Sequence, residues 1–168
     1  MQVKIIHFPL HPETPADGRS LEDLFHGRNI DIVGMNQKMQ ERMEAEGLTY
    51  GQRTRTYNSR LAQELAKWAE SQGKADAFHS AVFHAYFARG ENIGKAQVLL
   101  EVSESIGLDS AEAEAVIETR RYKTAVDDDW QRCAQFGITG VPTYLIGGRA
   151  LVGAYPYADL ENLVGTDG

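Results

Sequence analysis

The spacing of apolar positions changes along this chain, and the changes mark its elements. Val3, Ile5 and Ile6 make VKIIHF a short β-branched run that predicts a strand over 3–8. Pro9, Pro12, Pro15 and Gly18 then break any regular element, and Leu21, Leu24 and Phe25 predict only a helical turn. Met35, Met39 and Met43 recur every four residues, on one face of a helix running to about Glu46 and stopped by Gly47. The stripe predicts core or lid packing, since thioethers fill irregular gaps.

Five more helical stretches follow. Leu61, Leu65, Trp68 and Ala69 predict a helix over 57–72, capped by Asn58 or Ser59 and stopped by Gly73. Phe78, Val82, Ala85 and Tyr86 predict the next, over 75–89, and Phe83 and Phe87 widen its stripe enough to imply cover on more than one side. Val98, Leu99, Val102 and Ile106 give a helix over 95–106. Asp109 and Glu112 have capping-box spacing and open another, faced by Ala113, Val116 and Ile117. The register restarts after Arg120 and Arg121, which predicts a bend before the stripe of Tyr122, Val126, Trp130 and Cys133. Gly137 ends that helix.

The final third changes character. Thr143–Ile146 reads as a strand, Gly147–Gly148 as a two-residue hairpin turn and Ala150–Val152 as the return strand. Tyr155 to Val164 predicts a closing helix with Leu160, Leu163 and Val164 inward, and the tail GTDG is expected to fray. Three strands cannot cover both faces of a sheet without these helices, so an α/β layer arrangement in one domain is the economical packing.

Charge and composition narrow the function. The formal net charge of −7 argues against DNA or an anionic membrane as partner, and no apolar run approaches a membrane span. The stretch MQVKIIHFPLHPE lacks a small-residue cleavage pattern, so no secretory signal is expected. Cys133 is the single cysteine, which rules out a CxxC motif or an intrachain disulfide within these 168 residues and fits a reduced, cytoplasmic setting. It continues an apolar helical stripe, so packing is its expected role. His79 and His84 are five apart, on different sides of one helix, and His7, His11 and His26 are scattered, so no metal site is expected. Asp127–Asp129 reads as a solvated helix face. Arg53, Arg55, Arg60 and Lys67 form a basic stretch that no interleaved aromatics organise, which argues against nucleic acid. Arg120, Arg121 and Lys123 are expected to pair with carboxylates at the surface.

The stretch FGITGVPTYLIGGRALVG (136–153), the helical run 58–94 and FPLHPETP (8–15) occur in an order that resembles the DsbA family of thioredoxin-fold proteins. The resemblance covers nearly the whole chain. It implies an α/β, thioredoxin-like fold with a helical insertion, in which 1–34 and 121–168 form the thioredoxin-like part and 35–120 the insertion. It also implies a cis bond before Pro142, with Val141, Pro142 and Thr143 as the substrate-binding turn for an extended peptide or a small thiol.

The family's strand–CxxC–helix unit has no counterpart here, so the chain reads as N-terminally truncated, with Val3–Phe8 matching the family's second strand. Protein thiol–disulfide exchange is then the ancestral activity, and this chain is expected to be redox-inactive, with no catalytic residue and no cofactor of its own. One alternative is a glutathione-dependent isomerase or transferase, of the type acting on hydroxychromene carboxylates or of the kappa class. Another is a non-catalytic peptide-binding or structural protein. An edge left open by the missing strand would favour a homodimer.

Overall fold

In the computed structural model, which describes residues 3–165, the helical block forms much as the apolar register predicts. Its first members are α1 (Leu21–Leu24), α2 (Ile32–Ala45) and α3 (Arg60–Ser71), followed by α4 (Ala75–Phe83), which continues as a π-helical turn over His84–Ala88. Then come α5 (Ala96–Ser105), α6 (Ser110–Thr119) and α7 (Lys123–Gln135). The chain divides into two compact units, His11–Val126 in one and Met1–Leu10 with Asp127–Gly168 in the other.

The core of the helical unit centres on α3, where Leu65, Trp68 and Ala69 are fully buried with Phe78 of α4, Leu99 and Val102 of α5 and Val116 of α6. Local chemistry sets the helix ends. Asp109 caps α6 by accepting the Glu112 N–H at 2.8 Å, as the spacing predicts, and Asp31 caps α2 by accepting from Gly34 at 2.9 Å. Ahead of α3 the Asn58 side chain accepts the Arg60 N–H and donates to the carbonyl oxygens of Pro12 and Thr14, which fastens the proline loop to the helix. The predicted bend is real: Arg120 ends α6 in the left-handed region at φ 51°. A non-glycine residue there costs about 1–2 kcal/mol, and the Arg120 guanidinium offsets this by forking onto buried Glu64 at 2.7 and 2.8 Å. Arg120 therefore pairs with a core carboxylate, while Arg121 makes the expected surface pair with Glu112.

Two helical expectations need correction. No residue of α2 is buried and Met39 is exposed, so of the core or lid packing expected for the methionine stripe the core half fails, while Met43 lines a cavity with Leu48 and Phe87. Phe83 is likewise exposed, so the widened stripe is covered only at Phe87, against which Tyr50 and Arg53 stack. A small antiparallel ladder, β1 (Arg19–Ser20) with β2 (Arg55–Thr56), carried no alternation that the sequence could display.

In the second unit β3 (Thr143–Ile146) and β4 (Arg149–Val152) form the predicted hairpin, paired from Thr143↔Val152 to Ile146↔Arg149. Gly147 and Gly148 both have positive φ, as a primed two-residue turn requires. α8 (Tyr157–Gly165) buries Leu163 but leaves Val164 exposed, against expectation. The remainder of the tail expected to fray, 166–168, lies outside the described residues. The predicted strand over 3–8 does not form. A strand needs a ladder partner, and among the described residues the hairpin strands pair only with each other. The backbone of His7 turns instead to α7, donating to Asp129 Oδ2 at 2.9 Å and accepting from Cys133 Sγ at 3.5 Å. Among the described residues no helix is long and apolar enough to cross a membrane.

Candidate functional site

The site is built where α7 gives way to the hairpin. Gly137 takes a positive φ, and the Ile138 N–H returns to the Cys133 carbonyl at 2.9 Å, the Schellman bond that closes a helix. The chain then turns through Gly140, Val141 and Pro142, and the Val141–Pro142 peptide is cis. Two bonds pin this turn. The Thr143 hydroxyl donates to the Gly140 carbonyl at 2.7 Å, and the Gly153 N–H donates to the Pro142 carbonyl at 2.8 Å.

Val141 is left open, with 48% of its surface exposed. Among the described residues neither its N–H nor its C=O makes an intramolecular hydrogen bond. A residue whose backbone donor and acceptor are both unengaged can form a two-bond bridge with an extended chain. The three residues singled out from the sequence are thus contiguous in one fixed turn.

Among the described residues the one cysteine, Cys133, does not accompany them as an activated nucleophile. Cys133 is 7% exposed. Burial and then the Asp129 carboxylate push its thiol above its ordinary value, so it is protonated at neutral pH and a poor nucleophile. Asp129 departs from the solvated face expected of the acidic run, since it is buried and accepts the His7 N–H. Among the described residues no three histidine, cysteine or carboxylate side chains group as metal ligands would.

Cavities also open in the helical unit. One, of about 860 Å³, is walled by Met43, Leu48, Phe83, Phe87 and Ile106. Another, of about 550 Å³, lies among α1, α2 and the 50–55 segment and includes Arg53 and Arg55. Here the expectation that no aromatics organise the basic stretch is overturned. The Arg53 guanidinium lies 4.7 Å from the ring centre of Tyr86 and 5.3 Å from that of Phe87, and it donates to the Tyr86 hydroxyl. Those rings are 33 and 34 positions away in sequence, so interleaving could not reveal them; the π-helical turn brings them round.

The DSBA-like thioredoxin domain family matches residues 1–165. The uncharacterized protein YwbO of Bacillus subtilis (strain 168) is 35% identical over 100 residues, which cover 56% of this chain and 48% of that protein. The chain thus spans about half the length of that curated relative. Among solved structures, a probable DsbA oxidoreductase from Streptomyces coelicolor superposes with a TM-score of 0.80 at 24% identity, over 94% of this chain and 73% of its own. A 2-hydroxychromene-2-carboxylate isomerase superposes with a TM-score of 0.69 at 17% identity, over 86% and 74% of the two chains. These likenesses establish an α/β, thioredoxin-like fold with a substantial helical insertion.

Proposed function

This chain belongs to the DSBA-like thioredoxin domain family, and from that premise we propose that it recognises extended peptide backbone at the Val141–Pro142–Thr143 turn without itself exchanging thiols and disulfides. The observation that carries the reading is the pair of backbone groups of half-exposed Val141 that make no hydrogen bond among the described residues, beside a turn pinned on both sides. An extended polypeptide and glutathione present the same chemistry to such a turn, an open peptide backbone carrying a thiol. The second half of the reading rests on cysteine arithmetic. Exchange needs an attacking thiolate and a second sulfur to resolve the mixed disulfide, and this chain offers one buried, protonated thiol.

The same reading places the chain in a reducing compartment, the cytoplasm, where a lone cysteine stays a thiol. It also includes a homodimer. Val3, Ile5, Tyr144 and Val152 are exposed in the unit that carries the hairpin, an apolar surface suited to a second copy. Sedimentation that finds only monomer at micromolar concentration removes the dimer from the proposal.

Two assays test the core of it. Insulin reduction driven by dithiothreitol should run at the rate without protein, and clear acceleration by this chain overturns the non-exchanging half. Titration of ¹⁵N-labelled protein with a cysteine-containing extended peptide, and separately with reduced glutathione, should move the amide resonances of Val141 and Thr143. Saturable shifts confined to other residues overturn the site.

A further inference from the structure

The smaller cavity of the helical unit combines features that the turn at Pro142 does not use. Arg53 and Arg55 both line it. Among the described residues neither guanidinium meets a carboxylate within ion-pairing distance. Arg53 stacks on Tyr86 and Phe87 and donates to the Tyr86 hydroxyl, and Arg55 donates to the backbone carbonyl oxygens of Asp17 and Gly18. The Nε–H of Arg53 is buried and has no acceptor among the described residues. Withdrawing a guanidinium from water without a counter-charge is costly, and ring stacking and neutral acceptors recover only part of that cost.

The wall carrying Arg53 is held rigidly. Asn36 of α2 donates to the Arg53 carbonyl at 2.8 Å, and the Gly51 N–H donates to the Phe87 carbonyl at 2.8 Å. At Gly51 the backbone approaches the Ala88 carbonyl so closely that a Cβ would collide with its oxygen. The 50–55 segment is therefore fastened to both α2 and the π-helical turn, which fixes the guanidinium in place. Among the described residues Glu22 is the one carboxylate lining the cavity, so the two arginines leave an excess of positive charge there. The volume of about 550 Å³ suits a small molecule.

We propose that this cavity binds a small organic anion, with its carboxylate or phosphate group neutralising Arg53 and Arg55 and its body against Leu21 and Val33. Guanidinium forks match both head groups, so the chemistry of the anion is set more firmly than its identity. The site is separate in sequence from the Val141 turn, and the proposal stands whether or not that turn binds peptide.

The test uses the full chain at constant ionic strength with three probes: citrate, glucose 6-phosphate and neutral glucose. Side-chain Nε–Hε resonances of Arg53 and Arg55 should shift saturably with at least one anion, and glucose should leave them unmoved. Citrate without glucose 6-phosphate indicates a carboxylate ligand, and the reverse a phosphate. Arg55→Gln, an exposed position, should keep the fold and weaken the anion by about tenfold or more, the effect of one lost charge-assisted contact. Arg53→Lys keeps the charge but loses the fork, and should weaken it similarly. The proposal fails if neither anion moves the two arginines, or if Arg55→Gln binds as tightly as the parent chain.

Discussion

Replacing Glu64 by glutamine should cost this fold about 2–3 kcal/mol at neutral pH. The Glu64 side chain is 2% exposed and its oxygens accept from Arg60 Nε at 2.7 Å and from Arg120 Nε and Nη2 at 2.7 and 2.8 Å. Removing one partner of a buried ion pair costs about 3–5 kcal/mol when the other charge stays buried. Arg120 is 42% exposed and Arg60 15%, so water recovers part of their solvation and the expected loss is smaller. For a chain of this size each kcal/mol moves Tm by about 2–4 °C, which puts the shift near 5–10 °C.

The loss should depend on pH in a defined direction. Burial alone would raise the Glu64 carboxyl, but hydrogen bonds from Arg120 and Arg60 outweigh it and hold the group below its ordinary value. A carboxylate depressed in the folded state stabilises fully above its unfolded pKa, about 4.3, and that stability disappears as pH falls through the folded value. Thermal melts followed by circular dichroism should therefore show the widest gap between parent and Glu64→Gln near pH 7, closing progressively below about pH 4. A variant that melts within about 1 °C of the parent at pH 7, or a gap unchanged down to pH 3, would show that the Glu64 ion pairs do not stabilise the fold.

Other positions answer to equally local physics. Gly51→Ala should destabilise by about 1–3 kcal/mol in chemical denaturation, because its Cβ meets the Ala88 carbonyl oxygen, which is backbone and cannot swing aside. Gly18→Ala should cost at least as much, since φ is +78° and the Thr56 carbonyl oxygen lies 2.5 Å from the added carbon. Asp109→Ala removes the cap of α6 and should lower stability by about 1 kcal/mol, with Asp109→Ser restoring most of it. Cys133, with its thiol pushed up by burial, should react with Ellman's reagent far more slowly in the native chain at pH 7 than after denaturation, and immediate native reaction contradicts that packing.

What the sequence revealed, and what it concealed, follows from the range of each interaction. Helices, the Asp109 cap and the Gly147–Gly148 hairpin depend on residues a few positions apart, so periodicity and turn chemistry exposed them. The turn at Val141–Thr143 was singled out by family resemblance instead, and both bonds that pin it arise inside 140–153. VKIIHF misled because β-branched composition measures willingness to pair, while a strand also needs a partner, and composition carries no information about partners. Asp129 looked solvated within an acidic run because its acceptor role lies 122 residues away, on His7. Arg53 was legible as a charge but not as part of a cavity. Its surroundings are assembled from α2, the 50–55 segment and a π-helical turn, and no pattern along the chain announces a cavity built from three separate stretches.

Recognition of peptide backbone at the Val141 turn is the function proposed for this chain. It is tested most directly by comparing one extended cysteine-containing peptide with the same peptide N-methylated at the residue opposite Val141. Methylation removes a single backbone donor and leaves side chains and charge intact. Saturable shifts of the Val141 and Thr143 amides are expected with the unmodified peptide, and about tenfold weaker binding after methylation. Equal affinity for both peptides, or binding that leaves the Val141 amide unmoved, would contradict it.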